Sequence, residues 1–359
     1  MSLTYILSLA LRLCTPVLLI SIGGMFVLKA NIFNLALEGF ALMGAFAAVA
    51  GAHFSGSALT GVLLAAVVTM LLCLLYGVIV LELRVDAVIA AIAFISISSG
   101  LTRYLLKPIF GTSGRFIISS ELSLPALHFG LLDHLGTLGA ILNDQGALVY
   151  LALLMPFVVH IVFYKTRFGL TLRSVGLNEE AARSAGLNVR TTQYICLALC
   201  GIFCGLAGAQ LALSLNMFSV GMTDGRGYTA LAVLIMADSR PILSMLACFM
   251  FGISDAVVLV LSGTGYNAQI LDMLPYVLAL LVAVLPLLIG VLCHLALCRT
   301  AYEFGGGLAG KLWADGQALR CAVTVNSDVG KVILNKRDLL LRTVGSKEAL
   351  TASVAVEDG

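Results

Sequence analysis

Charge is what this sequence lacks. Only 11% of its 359 residues are Asp, Glu, Lys or Arg, against about 25% in an ordinary soluble domain. Apolar residues make up 60%, and the mean hydropathy is +1.05. So few polar side chains cannot cover a water-facing surface, which excludes a soluble enzyme, and so apolar a chain is not a disordered one. Neither sign is in excess. The 21 Lys and Arg stand against 19 Asp and Glu, so no basic face is available for nucleic acid. Other absences narrow the field. No Gly-x4-Gly-Lys-Ser/Thr run is present to cradle phosphates, so the chain is not expected to hydrolyse ATP or to bind a cofactor itself. The five histidines, at 53, 128, 134, 160 and 294, lack metal-ligand spacing. Residues 1–11 hold no basic side chain, Arg12 interrupts the first apolar run and no small-residue cleavage site follows, which is not the pattern of a signal peptide. Eight of the nine cysteines lie in or at the ends of apolar stretches, unlike an extracellular disulfide framework. What remains is a multispanning membrane protein.

The charges that are present are sorted along the chain. Residues 1–298 hold 13 basic and 12 acidic side chains, whereas the 61 residues 299–359 hold 8 and 7. This predicts a transmembrane domain over 1–298 and a short soluble C-terminal tail over 299–359. The tail joins a Gly-rich linker (305–310) to short alternating runs near Cys321 and Val332, either small strands or a poorly folded appendage, since 61 residues make a marginal core. Nine apolar segments can be read, at roughly 3–28, 33–53, 58–81, 87–106, 147–164, 192–215, 227–237, 242–261 and 273–298. Most reach the ~20 residues that cross a bilayer as a helix. The expected fold is all-α, a polytopic membrane helical bundle of about 8–10 transmembrane helices. Segment 227–237 is too short to cross alone and reads as a half-helix, tolerated inside protein or beside a water-filled cavity.

Basic loops orient the chain. Loop 165–191 carries Lys165, Arg167, Arg173, Arg183 and Arg190 and is assigned to the cytoplasm. Counting spans places Arg84, Arg240 and the tail on the same side, and loop 107–146 with the N-terminus outside.

The same loop holds the most specific motif. Asn178 is placed to cap a short helix, Glu179 and Glu180 suit its positive end, and Gly186 suits a left-handed stop. Ala181, Ala182 and Ala185 would make it a compact docking knob, with Arg173 and Gly176 on the approach. On charge alone it is an ordinary basic loop. Its Glu-Ala-Ala-x3-Gly spacing (Glu180, Ala181, Ala182, Gly186) is similar to the coupling loop of ABC importer permeases. A second motif, Asn31-Ile-Phe-Asn34-Leu-Ala-Leu-Glu38-Gly39, resembles a signature of permeases for simple sugars, nucleosides and branched-chain amino acids. A third, Gly221-Met-Thr-Asp224-Gly225-Arg226-Gly227-Tyr228-Thr229, looks like a segment of the same family, nearest its nucleoside and simple-sugar branch. The resemblance covers about residues 5–298, and the tail has no counterpart in it.

That resemblance implies a dimer of membrane subunits, homo or hetero, in the cell inner membrane. Two cytoplasmic ATPase subunits would carry the ATP and Mg, and an extracytoplasmic solute-binding lipoprotein would dock on outer loops. The solute ranking it suggests is nucleoside, then simple sugar, then branched-chain amino acid. The rival is a secondary ion-coupled transporter using Glu38 and Asp255 as carriers; a scaffold protein without transport is a third reading.

Individual residues keep two readings each. Glu38 belongs either near the substrate pathway, at a moving helix joint, or at an interfacial helix start where Asn34 caps and Glu38 completes the first turn. Asp224, Arg226, Tyr228 and Thr229 form either a polar re-entry lining the pathway or an outer turn held by an Asp224–Arg226 pair. Asp255, inside a span, is expected to avoid lipid; Arg12 is expected to snorkel or pair with a carboxylate. Cys196, Cys200 and Cys204 share one helix face and read as small packing residues, not as metal ligands.

Overall fold

A computed structural model describes residues 3–118 and 145–262, with isolated positions at 126–128, 139, 141, 143, 273 and 277. The chain divides into two units, Met1–Pro275 and Tyr276–Gly359, and of the second only Val277 is described. The expected span 273–298, the turn after 262, much of loop 107–146 and the tail 299–359 therefore lie outside the described residues.

The first unit is helical: α1 (Leu3–Lys29), α2 (Leu37–Ser55), α3 (Ala58–Gly77, continued by a π turn over Val78–Glu82), α4 (Ala87–Phe110), α5 (Ala147–Lys165), α6 (Arg167–Leu177), α7 (Glu179–Ser184), α8 (Val189–Ser214), α9 (Arg226–Met236) and α10 (Pro241–Ser262). Seven of these are long and apolar enough to cross a membrane, and α9 is the short one. Two antiparallel ribbons sit among the connections. β1 (Arg115–Ile117) pairs with β4 (Met217–Ser219), and β2 (Ala126–Leu127) with β3 (Gln145–Gly146).

Burial separates centre from rim. The apolar windows of α1, α2 and α8 are 67%, 89% and 72% buried, against 28–33% for α3, α4, α5 and α10. The centre closes because glycines let backbones touch. A Cβ on Gly208 of α8 would lie 2.3 Å from the Ala41 carbonyl oxygen of α2, and one on Gly44 of α2 would lie 2.9 Å from the Gly205 Cα. On the other side of α8, a Cβ on Gly201 would lie 2.5 Å from the Met70 Cα of α3. The Thr69 hydroxyl donates across that contact to the Gly201 carbonyl at 2.7 Å. Cys196, Cys200 and Cys204 are all buried on this packed helix, and among the described residues no group is arranged to hold a metal ion.

Helix α2 begins later than its apolar pattern suggests. Residues 30–36 are not helical, a turn at 30–31 leading into 32–35 without regular structure, with Ala30, Ile32, Asn34 and Ala36 buried and Asn31 and Phe33 exposed. This strap rises into the bundle before the helix starts. The Asn34 amide reaches Cys200 Sγ, which lies eleven residues, or roughly 16 Å, along α8. Tyr76 fastens the strap. Its buried hydroxyl lies 3.0 Å from the Phe33 carbonyl and 3.1 Å from that of Ala87. Tyr76→Phe removes the hydroxyl that ties these two segments together and is expected to cost about 1–2 kcal/mol, seen as a fall of a few degrees in the melting temperature of the detergent-solubilised protein.

One end of the bundle gathers the 29–34 strap, the 82–87 turn, the 165–191 loop and the 238–240 turn. The contacts are Lys29 Nζ to the Asp238 carbonyl at 3.3 Å, Tyr194 to Glu82 at 3.2 Å and Asn31 to Glu179 at 3.4 Å. The opposite end holds the β1–β4 ribbon and an aromatic cluster in which Phe46 meets Phe110 and Phe218. Arg12 does not only face water there. Its Nε donates to the Gln145 side-chain carbonyl at 2.9 Å.

Candidate functional site

The second and third sequence motifs meet inside the bundle. Glu38, in the first turn of α2, is buried, and its carboxylate leaves its own helix. One oxygen accepts from the Gly225 N–H at 3.1 Å and the other from the Gly227 N–H at 2.6 Å. These amides open helix α9, so a side chain from α2 caps a helix almost 190 residues away. Charge-assisted bonds of this kind are short and strong. Two glycines make the approach possible. Gly225 has φ +78° at the cap position, a left-handed conformation open to glycine. A Cβ on Gly227 would sit 2.4 Å from the Glu38 backbone nitrogen.

Both expected roles of the Asn34–Glu38 stretch are therefore modified. Asn34 does not cap α2. Its side-chain oxygen accepts from the Ala36 N–H at 2.9 Å and shapes the end of the strap, while the cap position itself, Ala36, has no side-chain bond. The Asp224–Arg226 pair does not form either. Asp224 is exposed at φ +43°, and the Arg226 guanidinium turns back to the Met222 carbonyl at 3.1 Å. The reason is local: the left-handed turn at 224–225 points the two side chains apart. Asp255 of α10 is half-buried, and Arg226 Nε is buried with no hydrogen-bond partner among the described residues. Tyr228 is 45% exposed. The Thr229 hydroxyl is spent on the Arg226 carbonyl of its own helix at 2.9 Å.

The 165–191 loop is built as its residues suggest. The Asn178 side-chain oxygen accepts from the Ala181 N–H at 3.0 Å, and Gly186 stops the six-residue α7 at φ +82°. Glu180, Ala181, Arg183 and Gly186 are exposed, and Ala182 alone is buried, so α7 protrudes as a knob. The knob is fixed from behind. Glu179 accepts from Gln193 of α8 at 3.0 Å and from Asn31 of the strap at 3.4 Å. Gly176 lets α6 cross the end of α1, since a Cβ there would lie 2.2 Å from the Lys29 carbonyl oxygen. Arg173 lies over the Tyr164 ring, 5.3 Å from its centroid.

Put together, the contacts form one line. The knob touches the strap through Glu179 and Asn31, the strap runs past Asn34 into α2, and Glu38 of α2 holds the start of α9. Reading the sequence singled out the ends of this line but not its middle. Asn31, Gln193 and the non-helical strap carried no local signal beyond the motif that begins at Asn31. Gln145 and Gln210, buried amides near the opposite end, were equally silent.

Comparison with known proteins places these features in context. Residues 6–289 match the family described as branched-chain amino acid transport system / permease component. The nucleoside ABC transporter permease protein NupC of Lactococcus lactis subsp. cremoris is 31% identical over 76% of this chain and 88% of its own length. The guanosine ABC transporter permease protein NupQ of Bacillus subtilis is 29% identical over 78% of this chain and 91% of its own. A putative glucose ABC transporter permease of Haloferax volcanii is 29% identical over 71% and 77%. No solved structure matches the chain.

Proposed function

We propose, given that the chain belongs to the family of branched-chain amino acid transport system permease components, that it is the membrane-spanning subunit of an ATP-driven importer for a nucleoside or a simple sugar. As a multi-pass member of that family it is a transporter component and not an enzyme. In this reading residues 1–298 form the permease domain in the cell inner membrane, with the tail 299–359 in the cytoplasm. A second permease subunit completes the pathway. A separate ATPase subunit binds ATP and Mg and receives the α7 knob in a groove. A solute-binding lipoprotein docks on outer loops such as 107–146.

The observation that carries this reading is the unbroken line from the knob to Glu38. Displacing α7 moves Glu179, the strap and the α2–α9 joint in turn, through rigid helices that have discrete packings. Nucleosides rank first because the two relatives named for them match at 31% and 29% identity; simple sugars rank second and branched-chain amino acids third.

The test is uptake of labelled nucleoside by cells carrying the Glu180→Ala, Gly186→Val double variant, with membrane levels measured in parallel. Glu180 is exposed, and Gly186 stands in open space at φ +82°, so the valine strains the end of the α7 knob itself and not a packed contact of the bundle. Uptake is expected to fall by about tenfold or more at unchanged membrane level. Uptake that persists in the variant and collapses with a protonophore would instead establish the secondary ion-coupled transporter.

A further inference from the structure

A cavity of about 480 Å³ opens where α1, α5 and α10 end, on the side of the 165–191 loop. Lys29, His160, Tyr164, Asp238, Arg240, Ile242 and Leu243 line it. Its lining includes no residue of the Glu38 joint or of the α7 knob.

Its chemistry is that of an anion site with an apolar skirt. Lys29 is the last residue of α1 and spends one of its three N–H groups on the Asp238 carbonyl at 3.3 Å. The Asp238 carboxylate faces Arg240 Nε at 3.4 Å. Among the described lining residues, the two cations Lys29 and Arg240 stand against the single carboxylate of Asp238, a net positive charge. Tyr164 supplies a phenol on the rim, its ring in contact with His160 at 4.7 Å. Below the pocket, toward the membrane interior, both walls are exposed and apolar. Leu154, Phe157 and Ile161 on α5 are 52–58% exposed, and Leu243, Leu246 and Met250 on α10 are 39–53% exposed. The α5 residues recur at helical spacing and so share one face.

We infer that this pocket binds the phosphate of an anionic phospholipid, with the acyl chains lying along the α5–α10 flank. A soluble anion would have no use for the apolar walls, and an uncharged lipid none for Lys29 and Arg240. The place is right for a head group, because the ends of membrane-length helices stand at the bilayer surface, where basic side chains attract anionic lipid.

The experiment uses the full-length protein in neutral detergent. Its melting temperature is followed during titration with short-chain phosphatidylglycerol, short-chain phosphatidylcholine or inorganic phosphate. Phosphatidylglycerol is expected to raise it by about 3 °C or more, and the other two to leave it unchanged. Lys29→Gln with Arg240→Gln is expected to abolish the rise. Lys29→Arg keeps the charge and is expected to retain it, which separates loss of the site from loss of folding. Arg167→Gln with Arg183→Gln, an equal charge loss at exposed positions of the 165–191 loop, is expected to keep the full response. Native mass spectrometry of the same samples should show phosphatidylglycerol adducts on the wild type and on Lys29→Arg only in proportion to these shifts. An equal rise with phosphatidylcholine, an equal rise with phosphate alone, no rise with any of the three, or a response that survives neutralising both cations would each overturn the inference.

Discussion

Glu38→Gln is expected to cut uptake by about tenfold to a hundredfold while leaving the chain in the membrane. The carboxylate accepts two amide N–H groups, one on each oxygen. Glutamine keeps the length but offers one acceptor. Its NH2 group then faces an N–H that it cannot accept from, inside a buried contact. Bonds to a charged acceptor contribute about 1.5–3 kcal/mol each, and an unsatisfied buried donor costs about 1–3 kcal/mol. The loss of one and the weakening of the other loosen α9 by an amount comparable to the coupling that transport requires. Glu38→Asp tests geometry separately. It keeps the charge but falls one methylene short of Gly227, where the bond is 2.6 Å, and should be impaired as well. Uptake per membrane-inserted molecule is the deciding measurement. If it is unchanged in both variants, the joint is a passive strut and takes no part in transport.

Gly208→Ala is expected to damage the fold severely for a single added methyl group. The new Cβ would lie 2.3 Å from the Ala41 carbonyl oxygen and 2.4 Å from the Ala45 nitrogen. Both are backbone atoms, so no side chain can swing away, and α2 must separate from α8 along its most buried length. Overpacking in a tight core costs about 1–3 kcal/mol, and here the two most buried membrane helices share the strain. Gly100→Ala provides the contrast. Nothing lies within 4 Å of a Cβ on Gly100, which sits inside α4. There the change should stabilise by up to about 1 kcal/mol through helix propensity. Melting temperatures in detergent should therefore move in opposite directions for the same chemical change. Equal behaviour of the two variants would show that the α2–α8 contact is looser than described.

The sequence revealed what is local. Helix lengths, the half-length segment at 226–236, the Asn178 cap and the Gly186 stop all follow from composition and neighbouring residues. What it hid was non-local or ambiguous in period. Residues 33–36 continue an apolar run, so the run read as helix from its start. Only contact with Tyr76 and Cys200 reveals a non-helical strap. Asp224 and Arg226 looked like partners because they are two residues apart, yet the positive φ at 224 separates them. Glu38 was visible as a costly carboxylate near a span, but its partners are backbone amides of glycines 187 and 189 residues away. A backbone donor leaves no mark on residue type except the glycines that expose it. The three motifs were found separately, and their convergence on one line was not readable from their spacing.

The break between α2 and α9 also has a charge balance. Helix α2 runs from Glu38 toward the β1–β4 end and α9 from Gly225 toward the opposite one, so both N-termini face the same spot. Each contributes roughly half a positive elementary charge, and the single carboxylate of Glu38 cancels the pair. With the Glu38 carboxylate in place, the formal charges left beside the joint are those of Asp224 and Arg226, one of each sign. Without that carboxylate the same backbone would become an anion trap, of the kind broken helices use elsewhere to hold carboxylate-bearing cargo.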